Sequence, residues 1–228
     1  MRHVALALAL AAASCGTLTP DPGPLATSVL APDFATYSLV RVGVPPLRAP
    51  DVDGANREAL QAALVAELAT VMPYELVPLE VDDLVEVDAQ DAFRRGRYDT
   101  RAVLEVARRY RLDALVLGTV THHQPYPPQA LGMEVELVAI ETGATLWSSS
   151  LHLDAADANV RARLERWQNG HKSGGGNRES VQLTLVSPER FARFAASEIA
   201  AATLAPGAAP GATPVRAAYV PRNGSSTP

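Results

Sequence analysis

Asp113-Ala114-Leu115-Val116-Leu117-Gly118-Thr119-Val120 is the stretch that decides the fold. Its apolar run is nearly continuous, so it has no face to give to water, and such a strand belongs in the middle of a sheet. Just upstream, Val103, Val106, Ala107 and Tyr110 recur at helical spacing behind Asp99 or Thr100, either of which can cap a helix. Downstream, residues 133–140 and 145–153 read as two strands joined by Glu141-Thr142-Gly143-Ala144, a glycine-containing hairpin turn. In the second of these, Trp147, Leu151 and Leu153 share one face, while Ser150 and His152 share the other.

The remaining segments fit around that centre. Residues 38–44 alternate and are β-branched, which predicts a strand ended by Pro45-Pro46. Asp53 can cap a helix with Leu60, Leu64, Leu68 and Val71 on one stripe and Ala63 beside them, ended by Pro73. A short strand follows at 74–78, and residues 82–98 turn from acidic to basic with little period, as a loop or a short helix would. After the hairpin come a helix around Val160, Leu164 and Trp167, a glycine-rich loop over 171–180, and a last helix opened by Ser187-Pro188-Glu189. Phe191, Phe194, Ala195 and Ile199 form the buried stripe of that helix. The expectation is an α/β (α+β) fold, a mixed sheet packed by helices.

The ends do not share this pattern. Met1-Arg2-His3, an apolar run over 4–13 and Ser14-Cys15-Gly16 describe a secretory signal too short to span a bilayer. Cys15, the only cysteine, has no internal disulfide partner. Ala12-Ala13-Ser14-Cys15 resembles a bacterial lipobox, although Ala12 stands where Leu is usual. That resemblance makes Cys15 the lipidation site and implies acyl chains at a membrane surface; Gly16 after it favours the outer membrane, facing the periplasm. Residues 15–35 then read as a flexible tether of Pro, Thr, Ser and Gly, whose 17–35 stretch extends at most about 60 Å. Residues 36–204 form the expected single domain, and 205–228 an Ala/Pro/Gly tail that cannot build a core.

Composition narrows the function classes. The 228 residues include 20 Lys+Arg against 25 Asp+Glu, a net charge of −5, with 47% apolar residues. That apolar share is globular, and the acidic balance argues against generic nucleic-acid binding.

Three motifs carry a wider resemblance. Val42-Gly43-Val44-Pro45-Pro46-Leu47, the Asp113–Thr121 strand and Ile140-Glu141-Thr142-Gly143-Ala144-Thr145-Leu146-Trp147 occur in the order found in one bacterial envelope superfamily. Over residues 37–153 the chain resembles the superfamily of the curli-secretion lipoprotein CsgG, the TolB amino-terminal domain and penicillin-binding-protein activator lipoproteins. The resemblance implies an anticodon-binding-like sandwich and a non-enzymatic envelope role through protein partners. It departs from the curli channel, because no long alternating pair interrupts the middle and Glu134 and Glu136 share a face unsuited to lipid.

The expected function is a lipid-anchored scaffold or accessory factor for envelope assembly or secretion, docking or self-associating through sheet edges and the 147–153 hairpin. The alternatives are activation of a peptidoglycan synthase and an exported enzyme of unknown class. No cofactor or metal is expected. His122-His123 point to opposite faces of an extended segment and cannot easily share an ion, and His3, His152 and His171 show no ligand spacing. Lys172-Ser173 precedes its glycines, the reverse of a phosphate loop. Asp82, Asp83, Glu86, Asp88 and Asp91 lack the pattern of a calcium loop. Arg94, Arg95, Arg97, Arg108, Arg109 and Arg111 form basic clusters open to an acidic partner or anionic lipid. Ser148-Ser149-Ser150 lacks a nucleophile elbow.

Overall fold

The computed structural model describes residues 23–80, 100–170 and 178–203. Its centre is a six-stranded mixed sheet: β1 (Thr27–Leu30), β2 (Arg41–Val44), β3 (Glu75–Pro78), β4 (Ala114–Gln124), β5 (Ala130–Ala139) and β6 (Thr145–Asp154). The spatial order is β1-β6-β5-β4-β2-β3. β4 therefore lies inside the sheet, as its apolar run requires. It pairs parallel with β2 and antiparallel with β5.

The parallel half needs crossovers, and helices supply them. α1 (Gly54–Leu68) joins β2 to β3, and α2 (Thr100–Tyr110) precedes β4. Asp53 caps α1 as expected, accepting from the Asn56 N–H at 3.0 Å. α3 (Ala158–Gly170), α4 (Arg178–Val186) and α5 (Pro188–Thr203) follow the sheet. α5 begins where Ser187-Pro188 predicts, with the Phe191 N–H on the Ser187 carbonyl at 3.0 Å.

Alternation splits β4 between two cores. Ala114, Val116 and Val120 face α1 and α5, joining Leu60, Leu64, Leu68, Phe194 and Ile199 in the larger cluster. Leu115 and Leu117 face the other way and meet Val106, Ala107 and Leu112 of the α2 segment. The large core holds the stripes of α1, α3 and α5 read from the sequence, with Trp167 against Phe194 at 5.6 Å between ring centroids.

Four expectations need correction. Residues 27–30 were expected within the tether but form edge strand β1, antiparallel to β6. So short a run of Thr-Ser-Val-Leu needs no strong pattern, because hydrogen bonding to one neighbour and burial of Ala26 hold it. The β6 edge expected to be open for docking is therefore occupied over 147–150. The end of the glycine-rich loop expected over 171–180 is helical instead, since α4 starts at Arg178; it packs on α5, with Val181 and Leu185 against the large core. β4 and β5 also reach further than expected, to Gln124 and from Ala130, because a bulge between Val120 and His122 lets polar residues continue the ladder.

Candidate functional site

The motif residues prove to be joints of the fold. Leu47 lies across Gly118, and a Cβ at position 118 would run into Leu47 Cδ2. Arg48 pairs there with β4, its N–H on the Gly118 carbonyl at 2.9 Å. The Asp113 carboxylate accepts from the Val40 and Arg41 N–H groups at 2.8 and 2.9 Å, fixing the start of β2. Gly143 takes φ +70° in the hairpin turn, where Thr142 Oγ1 meets the Tyr37 hydroxyl. The Trp147 indole N–H donates to Ser28 Oγ, pinning β1 to β6.

Among the described residues, two surfaces are open to chemistry. The first is the face of β4, β5 and β6 beyond the reach of α2. Cross-strand partners stand side by side there: Glu134 with Thr119 and Ser150, and Glu136 with Leu117 and Ser148. Both glutamates are exposed, on one face as expected. Beyond the bulge, His122 stands opposite Gly132, and Gly132 opposite His152. The two imidazoles meet over the glycine with ring centroids 5.9 Å apart.

The second is a cleft on the helical side, about 310 Å³ with its open mouth included, between the first turns of α1 and α5 and the end of the β4–β5 hairpin. Asn56, His123, Gln129 and Phe191 line it. Burial holds the His123 pKa below the ordinary histidine value, with Asp53 opposing and His122 adding to that shift. Asp53 is itself held below the usual carboxylate range by the hydrogen bonds from Asn56. Gln129 is buried at 1% exposure, and its Nε2 finds no hydrogen-bond partner.

Adjacent His122 and His123 thus diverge as the sequence predicts. What the sequence could not show is that the bulge turns His122 toward His152. Cys15, the acidic cluster at 82–91, Arg94, Arg95, Arg97 and Lys172-Ser173 lie outside the described residues. Arg108 and Arg109 are exposed in the last turn of α2. Ser149 is buried, donating to the Thr27 carbonyl at 3.0 Å, so the serine run splits between the two faces of β6. Among the described residues no three His, Cys, Asp or Glu side chains group as a metal site, and no helix is long and apolar enough to cross a membrane.

Two buried carboxylates tie the helices together. Glu198, 1% exposed, pairs with Arg163 of α3 at 2.8 Å and accepts from the Leu25 N–H at 2.7 Å. Glu67 of α1 pairs with Arg193 of α5 at 2.9 Å.

These features define an α+β domain whose mixed sheet carries its helices chiefly on one side and an exposed polar strip on the other. No family model matches the chain, and no curated protein does. Among solved structures it is similar to the PelC dodecamer from Paraburkholderia phytofirmans, at 11% identity and TM-score 0.43 over 77% of this chain and 96% of that one. It is also similar to the lipoprotein GNA1162 from Neisseria meningitidis, at 18% identity and TM-score 0.37 over 64% of this chain and 91% of that one. The LpoB carboxyl-terminal domain from Salmonella enterica matches at 15% identity and TM-score 0.34, over 52% of this chain and 84% of that one.

Proposed function

We propose that this chain is a non-enzymatic, lipid-anchored lipoprotein of the bacterial cell envelope, a protein-binding scaffold or accessory factor in envelope assembly or secretion. The observation that supports this most is how the chain enters the domain. Leu25 is held by Glu198 and β1 is held by β6, so ten residue steps separate Cys15 from a hydrogen-bonded point of the domain. Ten steps extend at most about 35 Å. Acyl chains on Cys15 would therefore keep the domain close to the bilayer surface, with its edge strand already anchored.

That short reach weighs against the alternative of a synthase activator working across the envelope on a long tether. The partner in this reading comes to the membrane-proximal domain. Proteins bind through exposed surface, and the strip carrying Glu134, Glu136 and Ser150 offers one.

Fractionation of cells expressing the native chain and Cys15→Ala, with and without globomycin, tests the anchor. Cys15→Ala is expected to abolish lipidation and signal cleavage, and globomycin to leave an uncleaved precursor held at the membrane; unchanged processing in both would refute it. Affinity capture of the membrane-extracted protein, followed by mass spectrometry and native mass, tests the scaffold. A specific envelope protein or a defined self-assembly supports it. A monomer with no retained partner counts against it.

A further inference from the structure

The three strands β4, β5 and β6 bring together two imidazoles that lie 30 positions apart in the chain. His122 and His152 both stand on the exposed face, and both are exposed. Between them on β5 is Gly132, which supplies no side chain to separate the rings. Two details show that this arrangement is built into the sheet. The bulge between Val120 and His122 shifts the alternation by one, so that His122 and not Thr121 lies in register with Gly132. At position 132 a Cβ would stand 2.5 Å from Thr121 Oγ1 and 3.2 Å from His122 Cβ, so the bulge requires glycine there.

We infer that His122 and His152 form a two-imidazole clamp for a late first-row divalent ion, of the Cu²⁺, Zn²⁺ or Ni²⁺ class. Imidazole nitrogen is the ligand those ions favour. With metal–nitrogen bonds of about 2.0–2.1 Å, two rings on one ion stand roughly 4.5–5.5 Å apart between centroids at bond angles of about 90–120°. The observed 5.9 Å is slightly wider, so closure needs ring rotation and a side-chain approach of roughly 1 Å. The backbone is already fixed by two antiparallel ladders, which limits the ordering that binding must impose. Glu134 follows Gly132 by two residues on the same face of β5 and adds negative charge beside the clamp. With no third protein ligand grouped there among the described residues, water completes the coordination.

The test is titration of the full chain with CuCl₂ and with ZnCl₂ near neutral pH, by calorimetry, with electron paramagnetic resonance of the copper sample. One ion per chain is expected, with nitrogen hyperfine coupling from two imidazoles. His122→Ala and His152→Ala are each expected to weaken binding by about tenfold or more, and His123→Ala to leave it unchanged. All three side chains are at least partly exposed, so circular dichroism is expected to report an intact fold in each variant. Absence of stoichiometric binding would overturn the assignment. So would undiminished binding in either single variant, or an equal loss in His123→Ala.

Discussion

Gly118→Ala is expected to destabilise the domain through one contact, and that contact can be isolated. The new Cβ would overlap Leu47 Cδ2, while the next atoms, Leu47 Cγ at 3.7 Å and Leu64 Cδ2 at 3.8 Å, lie at ordinary distances. Leu47 is only 2% exposed, so it cannot swing into solvent to make room. Overpacking of this kind costs about 1–3 kcal/mol, partly offset by the roughly 0.5–1 kcal/mol that alanine gains over glycine in a strand. Leu47→Ala alone costs about 2–5 kcal/mol, because it leaves a cavity. In the double variant the missing leucine branch is what the new methyl needs removed. The pair should therefore be more stable than the sum of the singles by about 1–2 kcal/mol, within the range seen for touching residues. Urea unfolding of the four proteins measures this directly, given unchanged slopes. Gly43→Ala is the control. Its Cβ would meet Leu112 and Leu115 on the opposite face of the sheet, so Leu47→Ala should not relieve it. If Gly118→Ala and Leu47→Ala add within about 0.5 kcal/mol, the slot reading is wrong.

Other expectations follow from the buried charges, the backbone and the cleft. Glu198→Leu removes the carboxylate shared by Arg163 and the Leu25 N–H, and should cost about 3 kcal/mol or more; limited proteolysis should then cut ahead of β1 sooner than in the parent. Equal cleavage rates would show that Glu198 does not hold the entering chain. Arg111 follows α2 at φ +53°, with the Leu112 N–H closing the helix onto the Ala107 carbonyl at 2.9 Å. Arg111→Gly should therefore raise stability by up to about 1 kcal/mol, and a loss of that size would contradict the assigned conformation. Burial lowers the His123 pKa, so between its folded and unfolded values the unfolded chain binds more protons. Stability should be fully present above the ordinary histidine pKa of about 6.5 and decline as pH falls from there through the folded value. The urea midpoint should fall less on acidification in His123→Gln than in the parent, and equal declines would remove His123 as the cause.

How much was legible follows from how far each signal reaches along the chain. The central strand, the stripe of α1, its Asp53 cap, the Gly143 turn and the start of α5 all depend on residues within a few positions of one another, and pattern exposes them. β1 was hidden because its partners, Ser148 and Trp147, lie about 120 residues away and its own four residues carry no periodicity. α4 was hidden by the glycines just before it, although its Val181 and Leu185 pack on the main core. The clamp residues were hidden for a third reason. Nothing near His152 announces that a bulge on another strand brings His122 beside it.

By itself the sequence determined the class of fold, the interior place of residues 114–120 and the opposite facing of His122 and His123, since hydrophobic period and strand alternation are local properties of the chain. It also marked Cys15, within a lipobox-like sequence, as the residue to test for lipid. Only the tertiary structure decided that residues 27–30 join the sheet, which edge of β6 is taken, why position 118 must be glycine and which imidazoles meet. Those are long-range matters. They depend on which strands become neighbours and in what register, and a single shifted residue in a ladder sends every later side chain to the other face.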